Sequence, residues 1–331
     1  MNILLTGADG FIGSQMLEAL LKNTSFKVHT TSFYNSFGNK GWINKELLNN
    51  KRILNHSIDL RDSSYVYDMI IKNKFKYIIN MAALISVPYS YVSPDIFFRN
   101  NLELTQNILN AAKISKSAIK ILLFSSSEVY GSAIYLPIDE KHPLQPQSPY
   151  SASKISTDSL GLSYFYTYGL PITILRPFNC YGPRQSLRAI VPTIICQYLN
   201  KNIKNIKLGN LKTSRDLTHV DDLVSIIIKL INTKKNLKGK IINIGSGKSH
   251  KINEIVNKVS KIVKIKKKIM TINSRLRPNL SEVKNLMCNN SLLKKIIGKY
   301  KFLELDEGLT TTINWYKSQP NFINNSENYE I

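Results

Sequence analysis

The chain has 331 residues, of which 43% are hydrophobic and 20% are charged, proportions typical of a folded globular protein with a sizeable core. Its formal net charge is +23, but the basic residues are spread along the chain without a nucleic-acid-binding motif, so we expect no nucleic-acid partner. The three cysteines, Cys180, Cys196 and Cys288, are widely separated; they indicate neither a disulfide framework nor a metal site.

The N-terminus predicts a strand that runs directly into a glycine-containing turn, without the features of a signal peptide. No apolar stretch approaches the ~20 residues that a membrane span requires. We therefore expect a cytoplasmic protein that does not insert into a membrane.

Short apolar runs alternate with helical patterns in the first half of the chain. Runs rich in Ile, Leu and Val predict buried strands at residues 2–6, 27–32, 77–80, 119–125 and 172–176. The segments between them predict helices at residues 11–22, 65–73, 94–112 and 150–168. This alternation predicts an α/β protein with a Rossmann-type, doubly wound parallel sheet.

After Pro177 the chain becomes richer in Gly, Pro, Arg and Asn, and predicts helices at 190–199 and 221–231, a strand at 240–244 and a further amphipathic helix from Ile252. We expect a first domain over residues 1–175 with a return segment at about 213–245. A smaller, discontinuous α/β lobe is expected over residues 176–318, and a frayed tail over residues 319–331.

A glycine loop, defined here as residues 6–13, joins the first strand to the first helix. Its glycines allow a tight turn, close approach of a pyrophosphate and close packing of helix on strand, and the helix N-terminus attracts phosphate. The loop predicts a dinucleotide site formed by Gly7, Asp9, Gly10, Phe11, Ile12 and Gly13.

The second strand ends at Ser32 without the acidic residue that usually holds the adenosine ribose. Ser32 could bond a ribose hydroxyl instead, and Asp59 with Leu60 could meet the adenine. NAD is the expected cofactor, with NADP left open.

Tyr150 and Lys154 are four residues apart, so both project from one side of a helix. A nearby ammonium group is expected to stabilise the phenolate and lower the pKa of the tyrosine, allowing it to act as a base. Ser126, Ser127 and Glu128 follow the predicted strand at 119–125, which brings them to the same edge of the sheet.

Together with the glycine loop, these residues resemble the extended short-chain dehydrogenases that act on nucleotide-sugars, the NAD-dependent epimerase/dehydratase family. The resemblance also covers Ala82, Ala83, Asn101 and the stretches at 176–184, 215–222, 243–247 and 277–278. Within the family, residues 34–37, 125–131, 137–143, 182–186 and 275–278 are most similar to the hexosamine 4,6-dehydratases of legionaminic-acid biosynthesis.

The resemblance implies a catalytic set in which Tyr150 takes the proton of the sugar 4-hydroxyl, Ser126 bonds the same oxygen and Lys154 holds the nicotinamide ribose. Glu128 would remove the C5 proton as the C6 hydroxyl leaves. Ala82, Ala83 and Asn101 would lie against the cofactor. Ser86, Asn179, Arg188, Arg215 and Arg277 would bind the nucleotide-sugar.

One position departs from the pattern of glucose 4,6-dehydratases, which usually carry Asp where this chain has Ser127. The Ser–Glu pair resembles mannose 4,6-dehydratases and also glucuronate decarboxylases. UDP-N-acetylglucosamine dehydration is the favoured activity, a 4-epimerase or UDP-glucuronate decarboxylase the alternative, and a non-catalytic NAD-sensing module the rival from another class. Relatives of this kind are expected to form homodimers and to serve cell-surface glycan biosynthesis.

Overall fold

The computed structural model describes residues 1–327. Its strands are β1 (Asn2–Thr6), β2 (Lys27–Ser32), β3 (Ile53–Ser57), β4 (Tyr77–Asn80), β5 (Lys120–Phe124), β6 (Ile172–Pro177), β7 (Asn179–Tyr181), β8 (Asn205–Leu208), β9 (Ser214–His219), β10 (Lys240–Ile244), β11 (Ser249–Lys251) and β12 (Lys268–Thr271). Its α-helices are α1 (Phe11–Asn23), α2 (Lys45–Leu48), α3 (Ser63–Asn73), α4 (Val87–Val92), α5 (Pro94–Ser115), α6 (Pro149–Tyr168), α7 (Ile190–Leu199), α8 (Val220–Asn232), α9 (Ile252–Val263), α10 (Ser291–Ile297), α11 (Leu305–Lys317) and α12 (Pro320–Asn324). None of these helices is both long and apolar enough to span a membrane.

Seven parallel strands form the central sheet, in the order β10-β6-β5-β4-β1-β2-β3. The predicted doubly wound sheet is therefore confirmed, and the five strands predicted for the first half of the chain agree with the structure within one residue. The direction of winding reverses between β1 and β4, and ligands of such sheets bind beyond the carboxyl ends of the strands at this point.

Two apolar layers cover the central sheet, which explains why its strands are apolar on both faces. One layer contains α1, α8 and α10, with fully buried Leu17, Ile227 and Leu293. The other contains α3, α5 and α6, with fully buried Ile70 and Ile108.

The predicted return segment at about 213–245 is divided between the two lobes. α8 and β10 join the first lobe, but β9 pairs with β7 and β11 in a separate three-stranded sheet. The helix α10, which we did not predict, packs against the first lobe as well. The lobe that each of these later segments joins depends on contacts between distant parts of the chain, which local sequence patterns do not encode.

A third apolar cluster forms the core of the smaller lobe between α7, α9 and α11. The prediction of a frayed tail from residue 319 is wrong for residues 320–327. Phe322 packs against this core, and the carbonyl oxygen of Ile323 accepts a hydrogen bond from Asn200 at 2.9 Å. Residues 328–331 lie outside the described part of the chain.

Candidate functional site

A cleft of about 1230 Å³ lies beyond the carboxyl ends of the central strands, between the two lobes. Every predicted site residue except Asn101 lines it. Topology alone explains much of this convergence, because parallel strands deliver the residues that follow them to one edge of the sheet. No cluster of His, Cys, Asp and Glu within residues 1–327 is placed to hold a metal ion.

The glycine loop closes tightly around the start of α1. Gly7 has a φ of +66°, a conformation that favours glycine, and a Cβ at Gly13 would lie only 2.0 Å from the Gly7 carbonyl oxygen. Gly10 is the N-cap of α1, and no side chain caps the helix. Its first-turn N–H groups and the positive end of its dipole are therefore available to a diphosphate. These residues fit a dinucleotide.

Thr6 stabilises the neighbouring wall and was not among the predicted residues. Its hydroxyl donates to Asn80 Oδ1 at 2.7 Å and accepts from the N–H groups of Met81 and Ala82, both at 3.1 Å. The segment with Ala82 and Ala83 is thus fixed beside Gly7. A hydroxyl residue at the strand end, directly before the first glycine, was the available sequence signal.

The end of the cleft at β2 and β3 contains a different set of contacts from the one expected. Ser32 is buried, and its Oγ accepts a hydrogen bond from Asn55 at 3.1 Å. Asp59 is paired with Arg61, whose Nε lies 3.0 Å from both carboxylate oxygens; this pairing lowers the pKa of Asp59. Arg61, two residues after Asp59, is a lining residue that the sequence analysis missed.

Asn101, predicted to contact the cofactor, does not line the cleft. Its amide accepts from the N–H of Leu84 at 2.8 Å and donates to the Leu84 carbonyl and to Ser153. This side chain is fully used in holding the segment after β4 against α6. Asn101 therefore acts on the site through the position of that segment.

The predicted catalytic side chains converge where α6 meets the end of β5. Ser148 caps α6, and Pro149 occupies its first position, so Tyr150 lies in the first turn and Lys154 one turn later. The Oγ of Ser126 accepts from the N–H of Glu128 at 3.1 Å, and Ser126 is close enough to Tyr150 to lower the pKa of its phenol. Ser127 is buried next to them and lines the same cleft.

The pKa of Tyr150 differs from the sequence-based expectation. Burial raises it to about 12; the hydrogen bond to Ser126 lowers it, and the charges of Glu128 and Asp158 raise it further. Lys154 is not among the groups that shift this pKa, and its ammonium group donates to the Phe124 carbonyl oxygen. The pKa of Lys154 is itself lowered to about 8 by burial.

Behind Lys154 lies a buried ion pair that the sequence analysis did not identify. Arg176 Nη2 is 2.9 Å from Asp158 Oδ2, and the two side chains are 2% and 4% exposed. Arg176 also donates to the Tyr130 hydroxyl at 3.0 Å. Asp158 follows Lys154 by one helical turn, and its charge opposes the effect of burial on the pKa of that lysine.

Glu128 is buried at the far side of the same cleft. Its Oε2 accepts from Arg277 Nη1 at 3.2 Å, and the positive charges of Arg277 and Arg215 outweigh burial and lower its pKa. Arg215 is anchored through its donation to the carbonyl oxygens of Ser214 and Val283 at 2.9 and 2.8 Å. The site thus holds an ionised carboxylate between two arginines.

The remaining predicted substrate residues, Asn179, Ser86 and Arg188, line the same cleft. Asn179 Oδ1 is buried without a hydrogen-bond partner within residues 1–327, which suits an acceptor for a ligand hydroxyl or N–H group. Ser86 caps α4 through the N–H of Tyr89. Arg188 is exposed, and its Nε donates to Ser186 at 3.1 Å.

A loop around Gly41 and Trp42 connects the glycine loop to the smaller lobe. The N–H of Trp42 donates to the Asp9 carbonyl oxygen at 3.0 Å. Its ring lies 5.4 Å from that of Trp315 and 5.9 Å from that of Phe322, centroid to centroid. Sequence reasoning missed this contact because the two tryptophans are far apart in the chain.

Comparisons with known proteins agree with this geometry. The GDP-mannose 4,6-dehydratase family model matches residues 4–312. A putative UDP-glucose 4-epimerase of Methanocaldococcus jannaschii is 31% identical over 327 residues, covering 96% of this chain and 98% of that protein.

Solved structures show the same similarity. UDP-glucuronic acid 4-epimerase from Bacillus cereus, in complex with UDP-glucuronic acid and NAD, has a TM-score of 0.87 at 28% identity and covers 96% of this chain and 100% of its own. dTDP-glucose 4,6-dehydratase from Bacillus anthracis, in complex with NAD, has a TM-score of 0.86 at 26% identity, with coverage of 98% and 99%. The chain belongs to the NAD-dependent epimerase/dehydratase family of extended short-chain dehydrogenases, whose fold it shares.

Proposed function

We propose that this protein is an NAD-dependent nucleotide-sugar 4,6-dehydratase and that UDP-N-acetylglucosamine is its favoured substrate. The observation that carries the proposal is the buried, ionised carboxylate of Glu128, two residues after Ser126 in the cleft that also holds Tyr150 and Lys154. A 4-epimerase has use for the serine, tyrosine and lysine alone. Elimination of water across C5 and C6 also needs a base beside C5.

The chain's residues would divide the work as follows. Tyr150 takes the proton of the sugar 4-hydroxyl, while Ser126 hydrogen bonds the same oxygen. Lys154 holds the nicotinamide ribose, and Glu128 removes the C5 proton that the new 4-keto group has made acidic. NAD, when bound along the glycine loop, would supply reversible hydride chemistry and would be regenerated in each turnover.

A second candidate is an enzyme acting on a UDP-uronic acid, as a decarboxylase or 4-epimerase. It is favoured by the positive charges of Arg277 and Arg215 near Glu128, because arginines suit a substrate carboxylate on C5. The dehydratase remains our proposal because Glu128 supplies the buried carboxylate that elimination of water across C5 and C6 requires. In the free protein, Arg277 and Arg215 lie 3.2 and 3.6 Å from Glu128 and Glu282.

Mass spectrometry of the products from a panel of UDP-, GDP-, dTDP- and CDP-sugars distinguishes these reactions. Loss of one water with a 4-keto-6-deoxy product supports the proposal. Loss of carbon dioxide supports the decarboxylase, and an isomer of unchanged mass supports an epimerase. The Glu128→Gln variant should oxidise C4 but release no water, whereas equal dehydration by variant and wild type would remove Glu128 from the mechanism.

The Tyr150→Phe variant tests the rival from another class, an NAD-sensing module without turnover. In that case the variant would behave like the wild type, and no nucleotide-sugar in the panel would react. A dehydratase should lose about 100- to 10,000-fold in kcat, the usual contribution of a positioned acid–base group.

We also propose a cytoplasmic homodimer that supplies cell-surface glycan biosynthesis. The helices α5 and α6 pack side by side and still expose Phe98, Ile114 and Tyr166. Exposed apolar side chains on adjacent helices suit a self-complementary contact. Light scattering on the purified protein should give twice the monomer mass.

A further inference from the structure

An ion pair between the two lobes closes the cleft at the proposed base. Glu128 follows β5 in the first lobe, whereas Arg277 lies between two short 3₁₀ turns, Asn273–Arg275 and Asn279–Ser281. The Arg277 Nη1 to Glu128 Oε2 distance is 3.2 Å, and the side chains are 23% and 8% exposed. Both side chains line the cleft, so a sugar bound at Glu128 would also lie near Arg277.

Arg277 is held differently from the neighbouring arginine. Arg215 donates to two main-chain carbonyl oxygens and is fixed in its own strand. Within residues 1–327, the side chain of Arg277 hydrogen bonds to Glu128 and to no main-chain carbonyl oxygen. Because Arg277 lies outside helices and strands, it can change partner without breaking secondary structure.

If the proposed function is right, dehydration requires Glu128 first to accept a proton and then to donate one. Its carboxylate must accept the C5 proton as the C5–H bond breaks and the C5–C6 double bond forms. Ser127 stands where an acid would protonate the departing C6 hydroxyl, so Glu128 must pass a proton to that oxygen as the C6–O bond breaks and water forms. An arginine on the carboxylate favours the ionised form and disfavours the protonated one.

We propose that Arg277 is a substrate-displaced clasp, which holds Glu128 in the free enzyme and moves to the diphosphate of the nucleotide-sugar when it binds. Arg188 and Arg215 line the same cleft as Arg277, so three arginines are available to attract an anionic diphosphate. A diphosphate offers the arginine fork more charge and more acceptor oxygens than one carboxylate does. Glu128 is then released only when a substrate is in place.

Glu128 has other charged and titratable neighbours besides Arg277, and they bear on any pH test. They are Arg215, Tyr91 and Tyr150, with Glu282 facing both arginines. Burial raises the pKa of both tyrosines above their ordinary value, so neither tyrosine contributes to the acid range in which the pKa of Glu128 lies.

The test measures kcat/KM and kcat as functions of pH and compares the pH at which each falls on the acid side of its profile, here called its acid limb. The profile of kcat/KM reports pKa values of the free enzyme, and the profile of kcat reports those of the substrate complex. In the wild type the kcat limb should lie about one pH unit or more above the kcat/KM limb, because release from Arg277 raises the pKa of Glu128. In Arg277→Met the kcat/KM limb should rise to meet the kcat limb, and KM should rise roughly 10-fold through the lost phosphate contact. Arg277→Lys, which keeps the charge, should restore the separation.

Arg188→Met is the matched control, because Arg188 lines the same cleft but bonds to Ser186. It should raise KM and leave the separation of the limbs unchanged. Coinciding limbs in the wild type, or limbs in Arg277→Met that stay where they were, would overturn the clasp.

A second measurement separates failure of the clasp from failure of the proposed function. Crystal structures with NAD alone and with NAD plus a nucleoside diphosphate, using UDP, GDP and dTDP in turn, should show Arg277 bonded to Glu128 in the first and to the diphosphate in the second. An Arg277–Glu128 bond that persists beside a bound diphosphate refutes the clasp whatever the reaction. Absence of water loss from every nucleotide-sugar refutes the dehydratase alone.

Discussion

The buried pair between Arg176 and Asp158 should be among the most sensitive points of the fold. In Arg176→Met, the Asp158 carboxylate would lose its partner at 2.9 Å while its side chain stays 4% exposed. Removing one member of such a pair costs about 3–5 kcal/mol, because the other charge remains buried. For a chain of this size that corresponds to a fall in unfolding temperature on the order of 10 °C.

The double variant Asp158→Asn/Arg176→Met supplies the comparison. It removes both charges, so it should be more stable than Arg176→Met by about 2 kcal/mol or more. Thermal unfolding followed by circular dichroism, with saturating NAD for every variant, measures both effects. The pair does not have the stabilising role inferred from its burial if the free energy of unfolding of Arg176→Met lies within about 1 kcal/mol of the wild-type value. The same conclusion follows if the effects of Asp158→Asn and Arg176→Met on that free energy are additive in the double variant.

Three further predictions concern the glycine loop, the edge of the sheet and the contact between lobes. Gly13→Ala should lower both the unfolding temperature and NAD affinity, because its methyl group would lie 2.0 Å from a main-chain oxygen; Gly10→Ala, at 3.4 Å from the same oxygen, should unfold near the wild-type temperature. Burial lowers the pKa of His29 to about 4, so below pH 6.5 only the unfolded state takes up this proton. Denaturant titrations should therefore show the wild type losing about 2 kcal/mol more than His29→Gln between pH 7 and pH 5, and equal losses would contradict the assignment. Trp42→Ala should release NAD roughly 10-fold faster in stopped-flow displacement, because the aromatic contacts that hold its loop to the smaller lobe are lost; an unchanged rate would show that the loop does not retain the cofactor.

The sequence by itself determined the layered architecture and the edge of the sheet at which the site lies. Apolar runs without alternation can be buried only between two layers of helices, and the glycine loop can form only where a strand turns directly into a helix. Ser126 and Glu128 follow from this, since parallel strands bring their carboxyl ends together. Tyr150 and Lys154 came from their spacing on a predicted helix, and the joint role of the four residues came from the resemblance to the family.

The tertiary structure alone decided which groups face one another and with what charge. Asn101 is bonded to Leu84 and Ser153 and does not reach the cleft, the ammonium group of Lys154 donates to Phe124, and Arg277 holds Glu128. Each contact joins a side chain to a group 17 or more residues away in the chain, so no periodicity or spacing encodes it. The pKa of Tyr150 rises for the same reason: it depends on how completely the folded protein excludes water from the phenol, a property of the packed whole and not of any segment.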